Sequence, residues 1–403
     1  MNDKLKLYET NKLEGDSKKT VYQVINNYIQ DHFTIRFNEI SLTYEIAQKK
    51  DFEFEILNES TLLISMVNNG ISVSNQTLKT YMKSDYIISH NPIKTYFENL
   101  PKWDGIDYIS QYASYVNTDD NILFAYHLKK WCVRAVLSVF YTDKINKHCI
   151  VLANGAQHAG KSTYLNYLIP DELKSYSSEN IGIDKDSRIK LCKTFIINLE
   201  ELEIMGKDVN SIKAFLSQTW VNERLPYADK STNIPRICSF VGSTNRVEFL
   251  NDDTGSVRWI IFNVIGKLNF RYSQEFNINN LWAQAYYLAF EDKTFKPDLT
   301  DDDVKVNEKR NEAYTVQTVE RELIPTYYEP SLDIADFRTP TEIVEELRVL
   351  GHRLNNQRIG SALSRYGFSR IKHGKRQVYG YLAKPLFKDS PLDLKIAYQV
   401  TKQ

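Results

Sequence analysis

The feature that most constrains the fold of this chain is an eight-residue segment, 155–162, which fits the pattern G-x-x-x-x-G-K-[ST]. This pattern is typical of the phosphate-binding loop of nucleotide-hydrolysing proteins. The apolar run at 149–153 precedes it and predicts a buried parallel strand. The residues at 163–168 contain neither glycine nor proline and predict a helix. Strand, glycine loop and helix therefore follow one another in the order that nucleotide binding requires.

The residue types in this segment suit ATP and Mg²⁺. Gly155 and Gly160 allow a tight turn that brings backbone N–H groups to phosphate oxygens, and the N-terminus of the following helix favours the same anion. Lys161 is expected to reach the β- and γ-phosphates, and the Ser162 hydroxyl is expected to help hold Mg²⁺. The predicted ATP-binding residues are Gly155, Ala156, Gln157, His158, Ala159, Gly160, Lys161, Ser162 and Thr163.

Two later apolar runs end in polar residues that suit the rest of a hydrolysis site. The run at 194–199 predicts a strand followed by two carboxylates, of which Glu200 is expected to hold Mg²⁺ and Glu201 to polarise the attacking water. The run at 237–243 predicts a second strand, after which the Asn245 amide can contact the γ-phosphate and the lytic water. The spacing from the glycine loop to Glu200 leaves room for a helix and one more strand, as a parallel sheet requires.

Two loops in the same region carry cations. The segment 222–236 predicts a hairpin whose tip presents Lys230. A polar loop at 251–257 presents Arg258 just before a strand at 260–264. An arginine held there can act as an arginine finger in the site of a neighbouring subunit. A surface salt bridge is the alternative interpretation of Arg258.

Composition narrows the class of protein. Hydrophobic residues at 42% and charged residues at 25% are ordinary globular values. The absence of an apolar run near 20 residues predicts no membrane contact, and we expect a cytoplasmic location. The four cysteines are scattered without a C-x-x-C pair, which argues against a zinc site or a disulfide framework. Because the formal net charge is zero, nucleic-acid binding would depend on local basic patches.

The rest of the chain predicts flanking domains around an ATPase core at 99–297. Residues 1–20 are polar and predict a disordered lead-in, and residues 21–98 predict a mostly helical N-terminal domain. A turn rich in proline and glycine at 100–105 marks the boundary. The apolar helix at 124–140 is expected to present Lys129, Lys130 and Arg134 to solvent. Residues 298–337 predict a linker or lid.

The C-terminal residues 338–403 predict a winged-helix domain. A capping box at 339–342 begins one helix, a second helix is expected at 356–366, and strands at 369–371 and 377–382 flank a basic tip. Positions 338 to 384 contain ten Lys and Arg residues and three acidic residues, and this local net charge of +7 suggests phosphate contacts. A winged helix that contacts only protein is the alternative. The predicted DNA-binding residues of this domain are Arg358, Arg365, Lys372, Lys375 and Arg376.

A series of motifs between positions 91 and 295 resembles the virulence-associated protein E family. In chain order the series comprises Trp103-Asp104-Gly105, the phosphate loop, Asn198-Leu199-Glu200-Glu201, Arg224-Leu225-Pro226-Tyr227, Gly242-Ser243-Thr244-Asn245-Arg246, Thr254-Gly255-Ser256-Val257-Arg258-Trp259 and Leu281-Trp282-Ala283-Gln284-Ala285. The acidic strand end of the family is usually Glu-Leu-Asp-Glu, so the chain departs from it at Asn198 and at Glu200 but keeps both final carboxylates. It departs again at Val257, where the first of two paired arginines is usual.

This resemblance implies an AAA+-like core similar to superfamily 3 helicases of phages and mobile elements. Such cores assemble into rings, so we expect a homo-oligomer, a hexamer, with Lys230 contacting DNA inside the ring. The predicted fold class is therefore α/β: a P-loop AAA+-like ATPase core with a mostly helical N-terminal domain and a C-terminal winged helix.

The function expected first is an ATP-dependent DNA helicase or replication-initiation ATPase of a phage or mobile element, acting on single-stranded or forked DNA. The alternative is a nucleotide-driven switch or defence ATPase that gates a partner without unwinding DNA. A small-molecule kinase fits less well, because no acceptor pocket is recognisable in the sequence. Weak ATP turnover that single-stranded DNA does not change would favour the switch.

Overall fold

The computed structural model describes residues 19–50, 53–153, 159–179, 181–182, 184–200, 214–223, 232–246, 248–250 and 257–386. Contacts within the chain divide it into two units, and the boundary along the chain lies between Asn99 and Leu100. In the part of the chain that the structure describes, none of the helices combines the length and apolar character needed to cross a lipid bilayer.

The first unit combines helices with a sheet. The helices are α1 (Val21–His32), α2 (Glu59–Asn68), α3 (Asn75–Met82) and α4 (Pro92–Glu98), and the strands are β1 (Phe33–Asn38), β2 (Thr43–Gln48), β3 (Glu55–Ile56) and β4 (Ile88–His90). The strands lie in the order β3-β2-β1-β4. Ile25, Leu62 and Leu78 from the first three helices share a core with Ile35 of β1. The prediction of a mostly helical domain did not include this sheet. Strands β1 and β2 mix polar with apolar residues, and β3 and β4 have only two and three residues, so none of the four forms a continuous apolar run.

A parallel sheet forms the centre of the second unit. Its strands are β5 (Cys149–Ala153), β6 (Ser177–Glu179), β7 (Ile196–Leu199), β10 (Ser239–Thr244) and β11 (Trp259–Asn263), and an antiparallel pair, β8 (Trp220–Glu223) and β9 (Thr232–Pro235), precedes β10. Within the described residues the sheet order is β11-β5-β10-β7-β6, and every neighbouring pair is parallel. Every residue of β5, β7 and β10 is buried, which is typical of strands covered on both faces.

Helices connect and cover these strands. In chain order they are α5 (Tyr108–Ala113), α6 (Asn121–Phe140), α7 (Lys161–Asn166), α8 (Lys185–Lys193), α9 (Tyr272–Glu275), α10 (Ile278–Phe290) and α11 (Asp301–Asn311). Helix α6 packs against the sheet, and the Trp131 indole N–H donates to the carbonyl oxygen of Phe240 at 3.0 Å.

The prediction of a solvated face on α6 was wrong for Lys130 and Arg134, which are each 4% exposed. Lys130 Nζ donates to the carbonyl oxygen of Asp298 at 2.7 Å and to the Asp303 carboxylate at 2.9 Å. The Arg134 guanidinium donates to the carbonyl oxygen of Pro297. The segment at 297–303 thus covers this side of α6 and supplies oxygen partners to both buried cations, and Asn146 Oδ1 accepts a further hydrogen bond from Arg134 Nε at 3.2 Å.

The C-terminal part of the second unit is a small helical core with an antiparallel sheet. It comprises α12 (Val319–Tyr327), β12 (Tyr328–Pro330), β13 (Phe337–Arg338), α13 (Pro340–Leu347), α14 (Asn356–Arg365), β14 (Arg370–Lys372) and β15 (Tyr379–Pro385). Strand β15 pairs antiparallel with each of β12, β13 and β14. The predicted helices and hairpin are present. Leu323 and Ile324 of α12, in the segment predicted as a linker or lid, pack with Leu347 and Leu363, so this core begins before residue 338.

The buried Arg236 joins three segments at the start of the parallel sheet. Its guanidinium is 0% exposed and donates to the carbonyl oxygens of Asn146 at 2.7 Å and of Phe215 and Leu216 at 2.8 Å. Asn146 precedes β5, and the other two carbonyls belong to a helical turn at 214–217. One side chain therefore ties this turn to the start of β5.

Arg236 Nε also donates to the carbonyl oxygen of Cys238 at 3.2 Å, so four buried carbonyl groups accept from this guanidinium. Arg236→Met is expected to lower the free energy of unfolding by about 4 kcal/mol, because each of these carbonyl groups loses its donor at about 1 kcal/mol. The loss should appear in calorimetry as a fall of several degrees in the midpoint of the transition. The matched control is Arg353→Met, at an exposed arginine, which should change the free energy by less than about 0.5 kcal/mol. Equal midpoints for the two variants would contradict this role of Arg236.

Candidate nucleotide-binding site

The carboxyl ends of three neighbouring parallel strands lie at one edge of the sheet, where Glu200 follows β7 and Asn245 follows β10. Ala153 at the end of β5 is paired with Thr244 at the end of β10, and Leu199 at the end of β7 is paired with Gly242. After β5 the chain crosses to β6 at one side of the sheet, whereas after β10 it crosses to β11 at the other side. Ligands of open parallel sheets bind at such a switch point, here between β5 and β10.

The predicted phosphate loop follows β5 in the chain. Gly155, Ala156, Gln157 and His158 lie outside the described residues, so their part in the site stays a prediction. Ala159 is buried, Gly160 precedes α7, and Lys161, Ser162 and Thr163 form the first turn of that helix.

Gly160 is constrained in two ways. Its φ of +86° lies in the left-handed region that favours glycine. A Cβ atom at this position would also clash with the ring of Phe270, which lies in the segment after β11. The sequence indicated the first constraint but carried no signal for the second, because Phe270 is distant in the chain.

The Lys161 ammonium group is already in contact with the predicted sensor amide. Lys161 Nζ donates to Asn245 Oδ1 at 2.8 Å, and Lys161 is 6% exposed. Asn245 follows β10, and α7 with Lys161 is the helix that follows β5 in the chain. The contact therefore joins the segments that follow two adjacent strands. The ammonium assigned to the β- and γ-phosphates therefore lies beside the amide assigned to the γ-phosphate.

A second set of contacts joins the first turn of α7 to β7 and β10. The Ser162 hydroxyl lies 2.9 Å from the Ser243 hydroxyl. Asn198 Nδ2 in β7 donates to Asn166 Oδ1 at 2.9 Å and to the carbonyl oxygen of Ser162 at 3.4 Å. Glu200 directly follows β7 and is half-buried, whereas Glu201 lies outside the described residues. The structure thus brings Ser162, Asn245 and Glu200 to the same sheet edge, together with Ser243 and Asn166, which the sequence analysis did not single out.

Arg258 lies at the opposite edge of the sheet. The Cys149 N–H at the start of β5 donates to the carbonyl oxygen of Arg258 at 2.8 Å. Strand β5 runs away from this point for five residues before the phosphate loop begins, a separation of about 16 Å. Arg258 of one chain is therefore remote from the phosphate loop of the same chain.

The Arg258 side chain is held by a hydrogen bond. Its Nε donates to Ser217 Oγ at 2.7 Å, and it forms no ion pair with any other residue that the structure describes. Ser217 belongs to the 214–217 turn that Arg236 anchors, so the buried arginine supports the position of Arg258. His148 lies in the electrostatic field of Arg258 and of other cations. Burial lowers the pKa of His148 to about 3, and the charge of Arg134 acts in the same direction, so His148 is neutral at pH 7.

The predicted DNA-binding residues lie on two elements. Strands β8 and β9 pair antiparallel, as a hairpin there requires, but its tip with Lys230 lies outside the described residues. In the C-terminal core, Arg358, Arg365, Lys372 and Lys375 are exposed. Arg376 is exposed too, but its guanidinium is ion-paired with Glu342.

Comparison with known proteins supplies the family. A family model for the virulence-associated protein E-like domain matches residues 97–316, more than half of the 403 residues. This range includes Lys161, Glu200, Asn245 and Arg258 and ends before α12. A search of curated protein sequences gives no match.

Solved structures of the NrS-1 C terminal region are similar to this chain at low sequence identity. The apo structure of residues 305–718 has 11% identity and a TM-score of 0.49, with 91% of this chain and all of that chain covered. An A form apo structure of the same region has 12% identity and a TM-score of 0.49, with 92% of this chain and 100% of that chain covered. The match of the family model to residues 97–316 shows that this chain belongs to the virulence-associated protein E-like domain family.

Proposed function

We propose that this protein is an ATP-dependent DNA helicase or replication-initiation ATPase of a phage or mobile element. The observation that carries the proposal is the contact of the buried Lys161 ammonium with Asn245 at the switch point of the parallel sheet. The left-handed Gly160 before the first turn of α7 supports the same reading, because a phosphate loop needs this backbone geometry.

The described side chains fit ATP and Mg²⁺. Lys161 would bind the β- and γ-phosphates, and Asn245 would then be released to contact the γ-phosphate and the attacking water. The hydroxyl of Ser162 and the carboxylate of Glu200 are oxygen ligands of the kind that Mg²⁺ prefers, and the bound ion would neutralise phosphate charge. Glu201 would take the proton of the attacking water.

We propose further that Arg258 acts in the site of a neighbouring subunit. Its position at the opposite edge of the sheet keeps it away from the phosphate loop of its own chain. In a head-to-tail ring, which we expect to be a hexamer, that edge would face the phosphate loop of the next subunit. Each hydrolysis site would then need two chains.

DNA is the partner that we propose for this ring. Lys230 would contact a phosphate inside the ring, and the cations Arg358, Arg365, Lys372, Lys375 and Arg376 would add contacts from a C-terminal winged helix. The β12–β15 sheet and helices α12 to α14 support this reading of the C-terminal core.

Gly160→Ala and Lys161→Ala are each expected to weaken ATP binding at least ten-fold, the first by backbone strain and the clash with Phe270, the second by loss of the cation. Calorimetric titration with a non-hydrolysable ATP analogue measures the affinity. Gly351→Ala is the matched control, because Gly351 has a φ of +78° with nothing near its missing Cβ. Parent-like affinity in both loop variants would refute the nucleotide site.

Glu201→Gln is expected to bind ATP normally and to hydrolyse it about 100-fold more slowly or worse, because the amide keeps the shape but cannot accept the proton. Single-turnover hydrolysis with and without single-stranded DNA is the measurement. If Glu200→Gln hydrolyses ATP slowly and Glu201→Gln hydrolyses it at the parent rate, the two residues have the opposite roles. If single-stranded DNA does not change the rate of ATP hydrolysis by the parent protein, a nucleotide-driven switch is favoured over a helicase.

Arg258→Ala is expected to bind ATP normally and to lose about 1000-fold in hydrolysis. A mixture with Lys161→Ala should regain activity, because mixed interfaces can combine an intact Arg258 with an intact phosphate loop. Each variant alone and the mixture are assayed at the same total concentration. A fully active protein that light scattering shows to be monomeric would rule out action between subunits.

A further inference from the structure

A groove opens between α14 and the hairpin of β14 and β15, outside the range that the family model matches. Its volume is about 870 Å³. Arg358, Ser361 and Arg365 line it from α14, Arg370 from β14 and Tyr379 from β15. We call it the C-terminal groove. Arg358 and Arg365 were predicted from the sequence to bind DNA. Arg370 and Tyr379 were not, because only the pairing of β14 with β15 brings these two residues beside α14.

The charge of the C-terminal groove is not balanced by acids. Arg358, Arg365 and Arg370 are exposed, and none of them is ion-paired with another residue in the described chain. Among the residues that the structure describes, the lining of the groove contains neither Asp nor Glu. Two of the nearby acids, Glu342 and Glu346, are ion-paired with Arg376 and Arg338, which do not line the groove. Three unbalanced arginines along one concavity favour a polyanion.

An exposed aromatic ring completes this site. Tyr379 is 59% exposed, and the Arg370 guanidinium lies 5.1 Å from the centre of its ring. An aromatic ring in a basic groove is the arrangement on which unpaired bases stack. Gly360, Ser361 and Ser364 form part of the lining, and their small side chains leave room for a strand beside α14.

We propose that the C-terminal groove binds single-stranded DNA, with Arg358, Arg365 and Arg370 contacting phosphates and Tyr379 stacking on a base. The choice of DNA rests on the proposed function. A single strand suits the site better than a duplex, since paired and stacked bases do not offer a free face to Tyr379. The phosphate contacts make binding sensitive to salt and largely independent of sequence.

The test measures binding of the full chain to a fluorescent single-stranded oligonucleotide of mixed sequence at several salt concentrations, without ATP. Tyr379→Ala should bind about ten-fold more weakly, whereas Tyr379→Phe should bind like the parent, because only the first loses the stacking ring. The double variant Arg358→Gln, Arg365→Gln should reduce the slope of log affinity against log salt by about 1.4, or about 0.7 for each lost phosphate contact.

The matched control is Arg348→Gln, which removes an exposed arginine outside the groove and should leave affinity and slope close to those of the parent. Thermal unfolding confirms that the variants remain folded. Parent-like affinity and slope in the groove variants would overturn the proposal, as would tighter binding of duplex with no effect of Tyr379→Ala. Because the assay contains no ATP, a failure of ATP hydrolysis would refute the proposed function without changing this result.

Discussion

The hydrogen bond from Lys161 to Asn245 depends on the strand order of the parallel sheet. Because β10 lies directly beside β5, the ends of these two strands are paired, and the first turn of α7 faces the residue that follows β10. Strand β7 lies one place further away, and Asn198 bridges this distance by donating to Asn166 and to the backbone of Ser162. Among the described candidate residues, Glu200 and Asn245 directly follow buried strands, which favours a fixed geometry.

The same sheet also separates the two halves of the proposed mechanism. The carboxyl edge carries the phosphate loop, and the opposite edge carries Arg258, which is supported by Ser217 and the Arg236-anchored turn. One sheet therefore presents the candidate nucleotide site at one edge and a cation at the other. An arrangement of this kind suits a ring in which successive subunits meet edge to edge, since every interface would then complete one site.

Much of the parallel sheet was predictable, because buried strands read as continuous apolar runs and the polar residues that follow them mark their carboxyl ends. The strands of the first unit left no such run, because β1 and β2 mix polar with apolar residues and β3 and β4 are very short. The burial of Lys130 and Arg134 was not predictable either, because their partners include backbone carbonyls that any residue supplies. Likewise, nothing in the sequence distinguishes the buried Arg236 from a surface arginine, and the predicted roles of Gly155, Glu201 and Lys230 stay predictions.

In the mechanism that we propose, one hydrolysis site requires residues from two chains. This can be tested by measuring the rate of ATP hydrolysis per subunit over a wide range of protein concentration, with oligomeric state followed in parallel by light scattering. If each site needs two chains, the rate per subunit rises steeply as subunits associate and levels off when assembly is complete. A rate per subunit that stays constant down to concentrations at which the protein is monomeric would contradict it.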